Sequence, residues 1–168
     1  MKIGSREIAV ASVLGALAAT SEIIPGPPFD VPFPLYPNIS WDLTGIPIMV
    51  SLFLYGPITG VFTCLIGCLV IFTRNPYGGV LKVIAELATI LAFIILRKGV
   101  VPNAVGAVTS RVLIMTVANF FLLQLFYRMS ENAVVGLLIP IGVFNVTQAL
   151  INIIPAYLIS WRVRIYKA

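Results

Sequence analysis

Residues 134–161 read VVGLLIPIGVFNVTQALINIIPAYLISW, 28 positions without one Asp, Glu, Lys or Arg. A helix needs about 20 mostly apolar residues to cross the roughly 30 Å hydrocarbon core of a bilayer, so this stretch is long enough to span one. The rest of the chain agrees. Of 168 residues, 60% are hydrophobic and only 10% charged, and the mean hydropathy is +1.05. Soluble domains carry about 25% charged side chains. The 11 Lys+Arg and 6 Asp+Glu present here cannot cover a water-facing surface. That excludes a soluble enzyme, a nucleic-acid module and a disordered chain. The composition is that of an integral membrane protein.

Outward from that span, proline and glycine divide the chain into six candidate membrane helices. They cover residues 8–24, 43–55, 58–73, 80–96, 104–127 and 134–161. The expected architecture is one all-α domain over residues 1–168, a bundle of six transmembrane helices. Residues 25–41, with six prolines, are too broken for a helix and are expected as a proline-rich outer loop between helices 1 and 2. The second candidate is short: a span, or a tilted or partly re-entrant segment. The first is read as a spanning helix rather than a signal peptide, because no small-residue cleavage site precedes residues 25–28 and further apolar runs follow. Basic residues in loops set the orientation. With both termini inside, Lys2, Arg6, Arg97, Lys98, Arg162, Arg164 and Lys167 face the cytoplasm, against Arg74 and Arg128 outside. The expectation is a multi-pass cell-membrane protein with cytoplasmic N- and C-termini.

The net charge of +5 therefore reflects topology. No basic patch interleaved with aromatics points to nucleic acid. Cys64 and Cys68 stand four apart in an apolar run and read as small packed residues. Histidine is absent, so no zinc set, Ser-His-Asp triad or Cys-His pair can be assembled. There is no G-x-x-x-x-G-K, G-x-S-x-G or H-E-x-x-H pattern either. Neither enzyme activity, metal nor cofactor is expected.

An ionisable residue at a membrane helix centre costs at least about 2.5–3.5 kcal/mol, so each needs a partner or a purpose. Lys82 and Glu86, four apart, either neutralise each other on one helix face or line a polar cavity open to the outside. Asp42 and Glu22 stand at outer helix ends, and Asp42 is placed to cap the second helix. Asn145, Gln148 and Asn152 recur on one face of the last helix. With Asn119 of the preceding helix they either bond neighbouring helices or line a cavity. Phe120, Phe121, Phe126, Tyr127 and Phe144 offer flat apolar walls nearby, as an aromatic ligand would want. In the first helix Ala11, Gly15 and Ala19 recur every four residues beside Ser12, Ala16 and Thr20. Such rows let another helix approach closely, either within this protein or on a membrane partner. The residues alone describe a membrane-embedded binder of something small, planar and partly polar.

The run Asp42-Leu43-Thr44-Gly45-Ile46-Pro47, followed by Tyr55-Gly56-Pro57-Ile58-Thr59-Gly60, resembles the second and third helices of substrate-binding (S) components of energy-coupling-factor (ECF) transporters. Asn75-Pro76-Tyr77-Gly78-Gly79 resembles the glycine-bearing loop that follows them. Met115-Thr116-Val117-Ala118-Asn119-Phe120-Phe121 with Tyr127, and Phe144-Asn145-Val146-Thr147-Gln148, are similar to motifs of the riboflavin-specific branch. The departure is Gln148, where that branch usually has lysine.

The resemblance spans nearly the whole chain. It implies a protein that captures a vitamin outside the cell, riboflavin on the closest likeness. The vitamin would pass to a membrane coupling (T) component driven by two cytoplasmic ATPase subunits. Asn119, Asn145 and Gln148 would hydrogen-bond the ligand, residues 25–41 would act as a lid, and the loop at Asn75–Gly79 would help close the pocket. The candidate binding set is Asn119, Asn145, Gln148, Asn152, Phe144, Lys82, Glu86, Asn75, Tyr77, Gly78 and Asp42. Ala11, Gly15, Ala19, Ser12 and Ala16 form the candidate docking face for the T component. The alternatives are another cargo (folate, thiamine, pantothenate, biotin) or a non-binding membrane assembly subunit. An anionic vitamin should recruit Arg74, Lys82 or Arg111.

Overall fold

Glycine and proline decide where the helices break. The structure, a computed structural model, describes residues 4–24, 26–96 and 98–165. Six helices follow one another: α1 (Ser5–Ile23), α2 (Gly45–Tyr55), α3 (Pro57–Arg74), α4 (Pro76–Leu96), α5 (Val100–Tyr127) and α6 (Glu131–Ile165). At the α2–α3 turn Gly56 adopts φ +92°, a conformation open to glycine, and Pro57 starts α3 where its missing N–H costs nothing. Between α1 and α2, strands β1 (Asp30–Pro32) and β2 (Ser40–Asp42) pair antiparallel, with Val31 opposite Trp41. The all-α expectation holds, and the segment expected as a proline-rich loop carries this short hairpin. Proline cannot sustain a helix but is tolerated at strand ends, and Val31 and Trp41 suit a strand, so the segment closes into a hairpin.

Four helices, α3 to α6, are long and apolar enough to cross a membrane. By contrast α2, with 11 residues, is no full span by length. It rises only about 16 Å. The 19 residues of α1 include Arg6, Glu7 and Glu22. Buried on every side, α2 is the hub: Pro47, Ile48, Met49, Val50, Ser51 and Leu52 are all covered. Around it, Cys64, Cys68, Ile90, Ala149 and Ile153 complete the main core, with both cysteines as free, fully buried thiols. One polar contact crosses this core, where the Thr63 hydroxyl donates to Ser51 Oγ at 2.8 Å.

Packing of α1 on α3 leaves no room for side chains at two glycines. A Cβ on Gly15 would stand 2.7 Å from Ile66 Cβ, and one on Gly67 would stand 2.7 Å from Ala18 Cβ. The buried stripe of α1 is Ala11, Gly15, Ala18 and Ser21. Ser12, Ala16 and Thr20 are exposed and Ala19 is half-buried. This corrects the expected docking face: Ala11 and Gly15 are used inside the protein, and Ser12 and Ala16 stay on the outer side.

Helix direction places the end of α1, the hairpin and the α3–α4 and α5–α6 junctions together at one end of the bundle. At the other end Arg6 lies over the Tyr55 ring and Arg164 donates to the Phe53 carbonyl. Lys2, Arg97 and Lys167, which entered the charge bias, lie outside the described residues.

Candidate ligand-binding site

A cavity of about 460 Å³ opens at the hairpin end, within the roughly 300–1,000 Å³ usual for small-molecule sites. Its apolar walls include Ile39, Leu81, Met115, Leu123 and Ile141. One wall comes from α5, whose buried stripe carries Arg111, Met115, Asn119 and Leu123 at four-residue spacing; such spacing keeps residues on a single helix face. Phe144 of α6 is braced by Phe33 of the hairpin, ring centroids 5.6 Å apart. Phe33 in turn meets Trp41 edge-on at 5.1 Å, and the Trp41 indole N–H donates to Thr147 Oγ1 at 2.8 Å.

The floor holds a deeply buried ion pair. Arg111 Nη1 lies 3.0 Å from Glu86 Oε1, with the two side chains 1% and 0% exposed. A buried pair is tolerated only where hydrogen bonds satisfy its remaining atoms, and here they satisfy all but Arg111 Nη2 among the described residues. Arg111 also donates through Nε to Asn145 Oδ1 at 3.1 Å and through Nη1 to Thr89 Oγ1 at 3.2 Å. Asn152 Nδ2 donates to both Glu86 oxygens, at 3.2 and 3.3 Å. Gln148 Nε2 donates to Asn152 Oδ1 at 3.0 Å and to the Asp42 carbonyl at 2.8 Å, and Gln148 Oε1 accepts the Asp42 N–H at 3.2 Å. A continuous polar chain thus runs from the cavity floor to the start of α2.

Lys82 pairs with Asp42. Of the two readings of Lys82 and Glu86, the mutual pair does not form. Lys82 meets the part-buried Asp42 and Glu86 the buried Arg111, contacts that outweigh an intrahelical pair worth about 0.2–0.5 kcal/mol, and Lys82 lines the cavity. The cap expected at Asp42 is corrected too. Asp42 belongs to β2, α2 begins at Gly45, and the Asp42 carboxylate accepts the Thr44 N–H at 2.9 Å. Burial pushes this carboxyl up, but the Lys82 ammonium and the Thr44 donor outweigh that and hold it below its usual 3.8. A depressed carboxyl stabilises the fold above its ordinary pKa and loses that contribution only as pH falls further. Ligand affinity is therefore expected to stay flat from about pH 8 to about pH 5. A titration of the Glu22→Gln variant, which removes a second carboxyl lining the cavity, checks it across that range, and a fall already between pH 7 and 5 would count against the Asp42 anchor.

Asn75 is corrected from loop to helix cap. Its Oδ1 accepts the Gly78 N–H at 2.9 Å, so α4 begins at Pro76 and Tyr77 and Gly78 sit in its first turn. Of the expected binding residues, Asn119, Asn145, Phe144, Lys82, Asn75, Gly78 and Asp42 line the cavity. Gln148, Asn152 and Glu86 are fully buried behind its floor. Tyr77 stands outside it, stacked on Phe126 at 4.6 Å, and Phe121 is 62% exposed on the outer surface. The residue that sequence reading undervalued is Arg111, named there only as a possible partner for an anionic vitamin. An arginine midway along an apolar helix was itself the signal.

Gln148 clasps the Asp42 main chain through both halves of its amide. With hydrogen bonds worth about 1 kcal/mol each, Gln148→Ala is expected to speed ligand release by on the order of tenfold. Stopped-flow dissociation measures this, and an unchanged rate would show that the hairpin is held without Gln148.

A family model described as ECF transporter, substrate-specific component, matches residues 6–160. This chain belongs to that family. A solved structure reported as "Structure and mechanism of the S component of a bacterial ECF transporter" superposes with a TM-score of 0.83 at 21% identity, covering 96% of each chain. That likeness is one of fold. No curated protein matches the chain. As an S component it is a membrane protein and not an enzyme, and the small molecule it holds is cargo rather than cofactor. Membership in the ECF family implies T and ATPase components as its partners.

Proposed function

We propose that this S component captures riboflavin at the hairpin end, with that end outside and both termini in the cytoplasm, and passes it to the T component of an ATP-driven complex. One observation carries the choice of cargo. The two cations lining the cavity already face carboxylates of the chain: Lys82 faces Asp42 and Arg111 faces Glu86. At the rim, Arg74 is likewise paired with Glu22 at 3.3 Å. A carboxylate vitamin such as folate, pantothenate or biotin would have to break one of these pairs. An uncharged, flat ligand does not. Apolar walls with a few amides, Asn119 and Asn145 among them, suit a tricyclic ring. The basic residues at the termini end support the orientation.

The test is the visible spectrum of the detergent-purified protein, followed by titration of riboflavin fluorescence. A yellow protein, or stoichiometric quenching with nanomolar affinity (about −12 kcal/mol), supports the reading. Unquenched fluorescence at micromolar protein overturns it. Because no unpaired cation among the described residues faces the cavity, affinity is expected to change less than about threefold between 50 mM and 500 mM salt. A steep loss over that range would point to an anionic cargo.

A further inference from the structure

We infer that Arg111 selects the cargo by donating, through Nη2, to a carbonyl oxygen on the edge of a planar heteroaromatic ring seated against the cavity floor. The inference rests on the cavity being the substrate site proposed above. Arg111 is 1% exposed, and its bonds within the protein leave from Nε and Nη1. Nη2 has no partner among the described residues. Nor is it walled in, since Ser160 Oγ is the one buried side-chain polar atom among them that lacks a partner. Nη2 therefore keeps a small exposed edge, and Arg111 is among the residues that line the cavity. A guanidinium nitrogen can only donate, and inside a low-dielectric floor an unmet donor is costly. A ligand that displaces water from this point must bring an acceptor of its own.

The acceptor is uncharged. Glu86 already neutralises Arg111 at 3.0 Å, so a second carboxylate would leave the floor with excess negative charge in a dry site. A ring carbonyl supplies a strong acceptor without that excess. The opposite end of the cavity sets the direction of the ligand. Asp30, Asn38 and Ser40 of the hairpin segment line the mouth and suit a hydroxylated chain, whereas Leu81, Met115 and Ile141 flank the way to Arg111. The ring therefore goes in first. Eight residues above Arg111 on the same stripe, Asn119 spends one amide N–H on the Met115 carbonyl at 2.7 Å, which leaves Oδ1 as an acceptor and the second N–H as a donor. Those two positions are about 12 Å apart along the helix, so a long ligand meets a donor at its deep end and an amide that can accept or donate toward its mouth end.

The experiment titrates the detergent-purified full chain with riboflavin, lumiflavin (the ring without its polyol), 2-thioriboflavin, 4-thioriboflavin and folate. It is repeated on Arg111→Met/Glu86→Gln, which removes both charges together. The native protein is expected to bind riboflavin and lumiflavin, and to bind at least one thio analogue about 10-fold more weakly, because sulfur accepts a charged donor poorly. The double variant should bind riboflavin about 10- to 100-fold more weakly and lose the discrimination between oxygen and sulfur. A purely structural Arg111 would not move that discrimination. The inference is overturned if the folded double variant keeps riboflavin affinity within threefold, or if the native protein binds both thio analogues as tightly as riboflavin. Should the double variant fail to fold, the native thio discrimination decides alone. Folate binding without flavin binding overturns the riboflavin reading. The role of Arg111 then stands if the double change weakens folate, whose ring also carries a carbonyl, and falls if it does not. Binding of none of the probes overturns both.

Discussion

Glu86→Ala is expected to abolish cooperative melting of the detergent-purified protein, or to lower its midpoint by about 10 °C or more. Glu86 is fully buried and meets Arg111 and Asn152. Removing it strands the Arg111 guanidinium in the bundle without a counter-charge, a loss that typically costs about 3–5 kcal/mol. The damage should also travel. Asn152 loses its acceptor, and through Gln148 the clasp on Asp42 loosens. Removing both charges in Arg111→Met/Glu86→Gln should recover much of the stability, because a neutral floor has no orphan ion to desolvate. Thermal melts of the single and double variants measure this. A single variant within about 3 °C of the native midpoint would show that the pair is hydrated rather than sealed.

Gly15→Leu is expected to prevent α1 from seating on α3. A Cβ at this position already stands 2.7 Å from both Ile66 Cβ and Cγ2, so the longer side chain has nowhere to go without separating the helices. Overpacking of this kind costs about 1–3 kcal/mol even where neighbours can relax. Ligand binding should weaken together with stability, since Ser21 and Glu22 at the end of α1 line the cavity. Ser12→Leu, on the exposed face of the same helix, should leave the melting midpoint within about 2 °C. A Gly15→Leu protein that melts and binds like the native one, but no longer joins its partner, would restore the docking role expected for this row. Melts, riboflavin titrations and pull-down with the T component separate the outcomes.

The two rows of small residues in α1 show the limit of pattern reading. Four-residue spacing identified a face that a helix could approach, and that held. Which row met α3 depended on the rotation of α1 about its axis, and Ile66 and Gly67 opposite it gave no sign of this in the chain. Lys82 and Glu86 failed for the same kind of reason. Their spacing matched an intrahelical pair, but Asp42 and Arg111 lie 40 and 25 positions away in the chain and are delivered by other elements. The row of Asn145, Gln148 and Asn152 did share one buried face. It divided by depth, with Asn145 on the cavity and the other two behind the floor.

That the chain lives in a membrane, where its helices break, and which residues were too polar to be there without a reason could all be read along the chain. Those follow from composition and local geometry: few charges, glycine at a positive φ, proline without an N–H, and desolvation that penalises every buried ion. Tertiary structure alone decided which charge answers which, and that residues 30–42 form a hairpin pinned by Gln148 and Trp41. Pairing is a property of distance in space. In low dielectric that distance sets the energy, and no spacing along the chain encodes it.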